Sequence, residues 1–174
     1  MAIRSVLNCS APILRQKSEK VKKISKSIQE LIIDLFDTLA YTKGVGLAAP
    51  QIGVLKKVIV IDLQTDEFSE RLAMINPEIK KRYGELEEYE EGCLSIPGVY
   101  SIVKRPQFVD VIYLDENNNR REIIKAEGLF ARVIQHECDH LNGVLFIDRL
   151  SKDQLSEIQP KIDELIKISN LKKL

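Results

Sequence analysis

The chain has 174 residues, enough for one domain with an adequate core, and its 26 basic side chains balance its 26 acidic ones. This balance gives no indication of a nucleic-acid site or an acidic partner surface, and no apolar run is long enough to cross a membrane. The start, Met1–Arg4, lacks the apolar stretch of a signal peptide, and the three cysteines show no disulfide spacing. We therefore expect a reducing, cytosolic location, with the cysteines in core or metal-binding roles.

Hydrophobic periodicity predicts the elements of the first half of the chain. A helix is expected from Ser27 to Lys43, with Ser27 and Glu30 as a capping box and Gly44 as its end. β-Branched residues favour a strand over Lys57–Leu63. Weaker strands are expected over three further segments, which are Leu72–Ile75, Glu78–Tyr83 and Glu85–Glu90.

The second half begins with a predicted hairpin, in which Phe108–Leu114 and Arg120–Lys125 flank the turn-rich segment Asp115–Asn119. A helix is expected from Leu129 to Leu141, ended by Asn142 and Gly143. An amphipathic segment follows Ser151, and Pro160 either interrupts its helix or starts the main part of it.

The only two histidines, His136 and His140, lie four residues apart around Glu137 in His-Glu-Cys-Asp-His. On a helix this spacing places both imidazoles on one face, where they can bind one metal ion with the glutamate beside them as a general base. The alternative is a pair of core histidines on a buried helix, but the H-E-x-x-H spacing favours the metal site. The motif indicates a mononuclear metal hydrolase.

Glycines cluster near these reactive residues, and one cluster imitates a nucleotide site. Gly44-Val45-Gly46-Leu47-Ala48-Ala49 matches the dinucleotide-binding fingerprint, which requires a strand before it and a helix after it. Here a predicted helix ends at Gly44 and a strand begins near Lys57, so the order is reversed. We therefore reject a nucleotide site.

A metal hydrolase needs a third protein ligand and an open position for water. No third histidine exists, so the ligand must be an acid or a cysteine, and Cys93 in Glu-Gly-Cys-Leu is the best candidate. Cys138 lies roughly 200° around the helix from each histidine and is expected to be a small core residue. Cys9 has no partner nearby in the sequence and is expected to be structural.

Three segments together resemble the motifs of the peptide deformylase family, in the same order and with the same spacing: Gly44–Gln51, Glu91–Ser95 and Gln135–His140. The resemblance implies a single domain over residues 1–174, with a motif core at 44–143 and a C-terminal amphipathic helix at about 152–169. It implies an α+β fold in which antiparallel β-sheets pack around a central helix carrying the HExxH motif, with helices at both termini. The implied reaction removes the N-formyl group from the N-terminal formylmethionine of newly synthesised proteins and releases formate.

The resemblance also assigns roles within the site. It makes three residues the metal ligands, namely Cys93, His136 and His140. Glu137 becomes the catalytic acid and base, while the side chain of Gln51 and the backbone N–H of Leu94 donate to the formyl oxygen. A glutamine that merely bonds to the loop backbone is the alternative for Gln51. The resemblance supplies Fe²⁺ as the metal; the ligands alone suit Zn²⁺ equally, and Ni²⁺ or Co²⁺ are further substitutes.

Substrate contacts follow from the same resemblance. Backbone groups of Val45 and Gly46, together with those of Glu91, Gly92 and the following residues to Leu94, would hold the peptide as an extended strand. The methionine side chain would enter a pocket lined by three helix residues, which are Leu129, Arg132 and Val133. Arg132 either covers this pocket with its stem while its charge stays in water, or is an ordinary solvated charge. Some family members carry an arginine near the peptide path where this chain has Tyr100.

The implied partners are N-formylmethionyl peptides and water, in the cytoplasm of a bacterium or in an organelle. Because the substrate is a nascent chain, the ribosome is a further candidate, although the tail after Ser151 mixes both charges and favours a packed helix. Two alternatives to this function remain open. A zincin-type metallopeptidase would share His-Glu-x-x-His, and a binding module would hold a metal without turnover.

Overall fold

The computed structural model describes residues 2–65 and 68–171, which form three α-helices and one antiparallel sheet. The helices are α1 (Lys26–Thr42), α2 (Gly128–His140) and α3 (Lys152–Leu171). The strands, which pair in chain order, are β1 (Gly46–Ala48), β2 (Val58–Gln64), β3 (Ser69–Cys93), β4 (Ile96–Leu114) and β5 (Arg120–Ala126). The expected combination of antiparallel strands and helices is confirmed. The described residues form one five-stranded sheet, whereas more than one sheet was expected.

Helix α1 begins one residue earlier than expected, after Ser25 in the N-cap position. No side-chain capping bond forms at this end, so the predicted capping box of Ser27 and Glu30 is wrong. The helix ends because Lys43 adopts the left-handed conformation with φ 55°, one residue before the expected Gly44. The left-handed conformation of Lys43 directs the chain into β1, a strand that the sequence did not predict.

Strands β3 and β4 form one long hairpin, which replaces the three short strands predicted between residues 72 and 90 and extends the predicted strand at 108 back to Ile96. The pairing shifts register at several points, including between Tyr83 and Leu86. Gly84 lies in this shift with φ 82°. Each bulge adds a residue to one strand and breaks the alternation of apolar and polar positions. The sequence pattern therefore suggested separate strands where the backbone is continuous.

Strand β2 is buried on both faces and separates two parts of the core. Val58 and Val60 pack with the apolar face of α1. Ile59 and Ile61, which point the other way, pack with α2 residues such as Ile134. Burial on both faces explains why this strand is almost uniformly apolar in the sequence, and it positions α2 against the sheet.

Helix α3 continues through Pro160, so the expectation that this proline interrupts the helix or starts its main part is wrong. Ile158 and Ile162 are buried against β4 and the 3₁₀ turn Phe146–Arg149. This burial on both sides of the proline offsets the hydrogen bond that the proline cannot donate. Within the described ranges, no helix has both the length and the hydropathy that a membrane span requires.

Candidate metal centre and cavity

Helix α2 and the turn after β3 bring three candidate ligands together. His136 and His140 lie one helical turn apart on α2, and both are buried. Cys93 ends β3, and its Sγ lies 3.3 Å from His140 Nε2. The ligand atoms of the three residues all lie within 4.8 Å of one another. The structure thus assembles the three side chains that were expected to bind the metal.

The chemistry of this donor set fits a divalent transition metal. One thiolate and two imidazoles suit Zn²⁺ or Fe²⁺, and three protein ligands leave a position open. Burial lowers the pKa of His140 well below its usual value, so its imidazole is neutral and able to act as a ligand. For His136, burial opposes a positive charge, but hydrogen bonds with Cys93 and Glu91 prevail and raise its pKa to about 10. Its surroundings therefore favour a positive charge here, which a bound cation would provide.

The side chain of Glu91 contacts the His136 ring at Nδ1. The Glu91 carboxylate is buried, and its Oε2 lies 3.0 Å from His136 Nδ1. Arg105 donates to both oxygens of this carboxylate, from Nε to Oε1 at 2.6 Å and from Nη2 to Oε2 at 2.9 Å. Although burial favours the neutral acid, these partners hold the pKa of Glu91 far below its usual value. A charged Glu91 keeps the proton of His136 on Nδ1 and leaves Nε2 available to a metal.

Asp139, next to His140 on α2, extends this network. Arg105 Nη1 donates to Asp139 Oδ2 at 2.8 Å, and Arg149 donates to both oxygens of Asp139, at 2.8 Å from Nε and 2.6 Å from Nη2. Arg105 therefore links the residue that orients His136 to the neighbour of His140. Although burial raises the pKa of Asp139, its bonds to Arg149 and Arg105 prevail and lower it.

Gln51 directs its amide group at the centre. Its side chain is 1% exposed and lies in the 3₁₀ turn Ala49–Ile52. The backbone N–H of Ala48 donates to Gln51 Oε1 at 2.8 Å. Nε2 therefore faces Ser95 Oγ at 3.3 Å and Cys93 Sγ at 3.6 Å. The backbone bond that was considered as the alternative role of Gln51 is present, and it orients the amide N–H groups toward the site.

Glu137 is buried between the ligands and β1. Burial raises the pKa of its carboxyl group to about 7, which suits an acid and base working near neutral pH. Its Oε2 is buried and makes no hydrogen bond among the described residues. Gly46 lies so close that a Cβ there would be 2.7 Å from both Glu137 Oε1 and Val133 Cγ1. Only glycine at this position lets β1 approach the carboxylate.

A cavity of about 360 Å³ opens beside these groups, which is the size of a small-ligand pocket. Leu94, which carries the expected backbone donor, lies in the turn between β3 and β4 and forms part of its wall. Every residue that the sequence assigned to the site lines the cavity except His140. The predicted site residues that line the cavity are Val45, Gly46, Gln51, Glu91, Gly92, Cys93, Leu94, Leu129, Arg132, Val133, His136 and Glu137.

Both expectations for Arg132 placed its charge in water, but in the structure the guanidinium is buried. It donates from Nη1 to Glu91 Oε1 and to Val103 O, each at 2.9 Å, and from Nη2 to Glu87 O at 2.8 Å. The residue is 7% exposed and lines the cavity. Its charge is thus buried by pairing with Glu91, and the prediction of a wet charge is wrong.

Sequence reasoning missed three members of this network, namely Arg105, Asp139 and Arg149. It also treated Glu91 only as a backbone contact, whereas its side chain orients His136. One signal was available: Asp139 lies inside the His136–His140 motif, directly before a proposed ligand, on a helix whose residues 131–140 are all buried. Arg105 and Arg149 lie in other segments of the chain, and only folding brings them to Asp139. The two remaining cysteines lie outside the cluster, with Cys138 in the apolar core and Cys9 partly buried.

Comparisons with known proteins agree with this geometry. The family model described as "Polypeptide deformylase" matches residues 3–156. The chain is 44% identical to "Peptide deformylase 1" of Pseudomonas syringae pv. tomato over 169 residues, which are 97% of this chain and 99% of the relative. A crystal structure of a peptide deformylase from Legionella pneumophila superposes with a TM-score of 0.88 at 42% identity, covering 97% of this chain and 98% of the other. Another, from Synechococcus elongatus in complex with actinonin, gives a TM-score of 0.84 at 44% identity, with coverage of 91% and 85%.

Proposed function

The chain belongs to the peptide deformylase family, and from this premise we propose that Cys93, His136 and His140 hold its metal ion. Members of this family are metal-dependent hydrolases that remove the N-formyl group from nascent peptides, and this chain is one of them. The observation that supports the assignment most directly is the convergence of one thiol and two imidazoles within 4.8 Å, beside a cavity that Cys93 and His136 line. We further infer that residues 1–174 form a single deformylase domain centred on α2, with its HExxH motif.

The proposed mechanism uses the chain's own groups around this centre. The metal, when bound, supplies the Lewis acidity that generates a nucleophile from water near neutral pH. Glu137 accepts a proton from the attacking water and returns one to the amine as the bond between formyl carbon and nitrogen breaks, which yields formate and a free N-terminus. Gln51 Nε2 and the Leu94 N–H donate to the formyl oxygen as its negative charge grows.

The substrate would lie along the edge of β3 as an added strand. Among the residues that the structure describes, 78–93 of β3 pair only with β4, since β2 pairs with residues 69–75. Backbone groups of Glu91 and Gly92 on one side, and of Val45 and Gly46 on the other, could therefore bind an extended peptide. We propose that the methionine side chain enters the cavity between Leu129 and Val133, with the stem of Arg132 as part of the wall.

The working metal is proposed to be Fe²⁺, with Zn²⁺, Ni²⁺ or Co²⁺ as less active or more air-stable substitutes. The thiolate and imidazole ligands can bind any of these ions, so the working metal must be identified by comparing the activities of the protein loaded with each ion. Protein loaded anaerobically with Fe²⁺ should release formate faster than protein loaded with Zn²⁺ and should lose this activity in air. Equal and air-stable rates would contradict iron as the working metal but not the ligand assignment.

The function is tested by formate release from a formyl-Met-Ala-Ser peptide with the metal-loaded protein, using acetyl-Met-Ala-Ser as the matched control. Formate should appear only from the formylated peptide, with no cleavage of internal peptide bonds. Internal cleavage would instead support a zincin-type peptidase, and metal binding without turnover would support a binding module. The family match disfavours both alternatives, the cysteine ligand argues against a zincin, and the convergence of three ligands rather than four among the described residues argues against a closed binding site. We place the enzyme in a bacterial cytoplasm or an organelle, and retain the ribosome as a candidate partner.

A further inference from the structure

The β3–β4 hairpin contributes two residues to the cavity lining whose side chains the proposed mechanism does not use. Glu90 and Tyr100 both line the cavity, and both are exposed, Tyr100 to 59%. The register pairs Glu90 with Ile102 and Gly92 with Tyr100, so Glu90 and Tyr100 are diagonal neighbours on one face of the hairpin. This is the face directed away from α2.

Gly92 brings the Tyr100 ring to the substrate path. A Cβ at Gly92 would lie 2.5 Å from Tyr100 Cε1 and 2.6 Å from Cδ1, so the ring packs directly over the glycine backbone. The same backbone is the proposed binding edge for the peptide. A peptide paired with Gly92 would therefore lie beside an aromatic ring, with no intervening side chain.

The Glu90 carboxylate places a negative charge without a salt-bridge partner among the described residues on this face of the hairpin. Among residues 2–65 and 68–171, Glu90 makes no salt bridge, whereas Glu88 on the same face pairs with Lys104 at 2.9 Å. Deeper in the cavity, the charges of Glu91 and Arg132 are already paired with each other. The rim of the cavity thus carries an open carboxylate and an aromatic ring at diagonal positions on one face of the hairpin, and both groups attract cations.

The alternation of side chains in a strand determines which substrate residue reaches this pair. In an extended peptide, successive side chains point to opposite faces. The methionine pocket lies on the α2 side of the hairpin, where Tyr89 lies under the Arg132 guanidinium, 5.6 Å from ring centroid to carbon. The next side chain of the substrate would then point to the opposite face, toward Glu90 and Tyr100.

We propose that Glu90 and Tyr100 form a specificity subsite that favours lysine or arginine directly after the formylmethionine. The subsite rests on the proposed function, because it assumes that the peptide pairs with Gly92 and that methionine enters the cavity. A cation at the second residue would pair with the Glu90 carboxylate and lie over the Tyr100 ring. Lysine at the third residue would point away from the subsite.

The experiment compares formate release from formyl-Met-Lys-Ala and formyl-Met-norleucine-Ala, which differ by one charged group on a similar stem. The lysine peptide should have a kcat/KM about three- to tenfold higher, a range expected for an exposed ion pair with a cation–π contact. Added salt should reduce the ratio. Formyl-Met-Ala-Lys, with lysine at the third position, should show no comparable advantage over formyl-Met-Ala-norleucine.

Variants of the hairpin test the residues. The ratio should fall to about one in Glu90→Gln and decrease in Tyr100→Leu, while Tyr100→Phe retains most of it because the ring remains. Glu122→Gln removes an exposed carboxylate from β5, away from this part of the hairpin, and is the control that should keep the ratio. Because each ratio compares two peptides on one enzyme, a general loss of activity cancels.

The subsite would be overturned by a ratio of one in the unaltered enzyme, or by a lysine preference that survives in Glu90→Gln. A preference only at the third residue would equally contradict the proposed alternation. If no formylated peptide released formate, the proposed function itself would fail. Formate release from all peptides at equal rates would leave the function in place and remove only the subsite.

Discussion

Glu91 Oε2 lies 3.0 Å from His136 Nδ1, and the same carboxylate accepts hydrogen bonds from Nε and Nη2 of Arg105. Because this pair fixes the ring orientation and the proton of His136, we expect Glu91→Gln to weaken metal binding by about 10- to 100-fold. A Co²⁺ titration followed by the thiolate absorption band measures the affinity. Glu88→Gln, a matched change on the exposed face, should leave it unaltered. An unchanged affinity in Glu91→Gln would show that His136 is oriented by other contacts.

Arg105 is 3% exposed and is paired with two buried carboxylates, Glu91 and Asp139. Arg105→Met should lower the free energy of unfolding by about 3–5 kcal/mol, because it leaves both carboxylates without their shared cation. Urea denaturation measures the change. Lys104→Met removes a neighbouring cation from an exposed pair and should cost no more than about 1 kcal/mol. Similar losses in the two variants would refute a special role for the buried network.

Acid should destabilise the protein through Glu91 and Asp139. The pKa of each carboxyl group is lower in the folded state than its ordinary value, 4.5 for Glu91 and 3.8 for Asp139. Such groups stabilise the fold above the pKa of the unfolded chain, and this stabilisation is lost as the pH falls from about 4.5 downward. Urea midpoints measured from pH 7 to pH 3 should show this fall. The slope should be shallower in Arg105→Met, and an identical slope would contradict the assignment.

Glu137→Gln should retain the metal and lose turnover, because the change removes proton transfer but none of the proposed ligands. A decrease in kcat of about 10²- to 10⁴-fold is expected for the loss of a general acid and base. Metal content and formate release are measured on the same sample. Glu127→Gln, an exposed change at the start of the same helix, serves as the control. Near-normal activity in metal-loaded Glu137→Gln would require another proton carrier.

Gly46→Ala should reduce kcat/KM, because the added Cβ would lie 2.7 Å from Glu137 Oε1 and displace either the carboxylate or β1. The φ of Gly46 is not in the left-handed region, so the backbone itself would accept alanine and the loss would come from the contact. Formate release and urea denaturation should be measured together. Reduced activity with little loss of stability would match displacement of Glu137. Full activity would mean that β1 can move without affecting the carboxylate.

Local sequence patterns predicted the elements whose periodicity is uninterrupted. Helix α1 and strand β2 lie within a residue or two of their expected bounds, because each has a regular apolar pattern over its whole length. The β3–β4 hairpin was predicted only in fragments. Its bulges change the side-chain alternation, and a pattern based on strict alternation ends at each of them. The continuous course of α3 through Pro160 also depended on packing that no local pattern contains.

The sequence by itself determined the family and predicted the proposed reacting groups, because His136, Glu137 and His140 are related by the pitch of one helix and Cys93 lies in a short, distinctive motif. Only the tertiary structure decided how these groups are held. Arg105 lies on β4 and Arg149 in the 3₁₀ turn after α2, and both meet Asp139 because these elements pack on the same site. The tertiary structure also decided that the Arg132 charge is buried and forms an ion pair with Glu91. The environment of a charge depends on which distant partners fold around it, and short-range sequence spacing does not encode those partners.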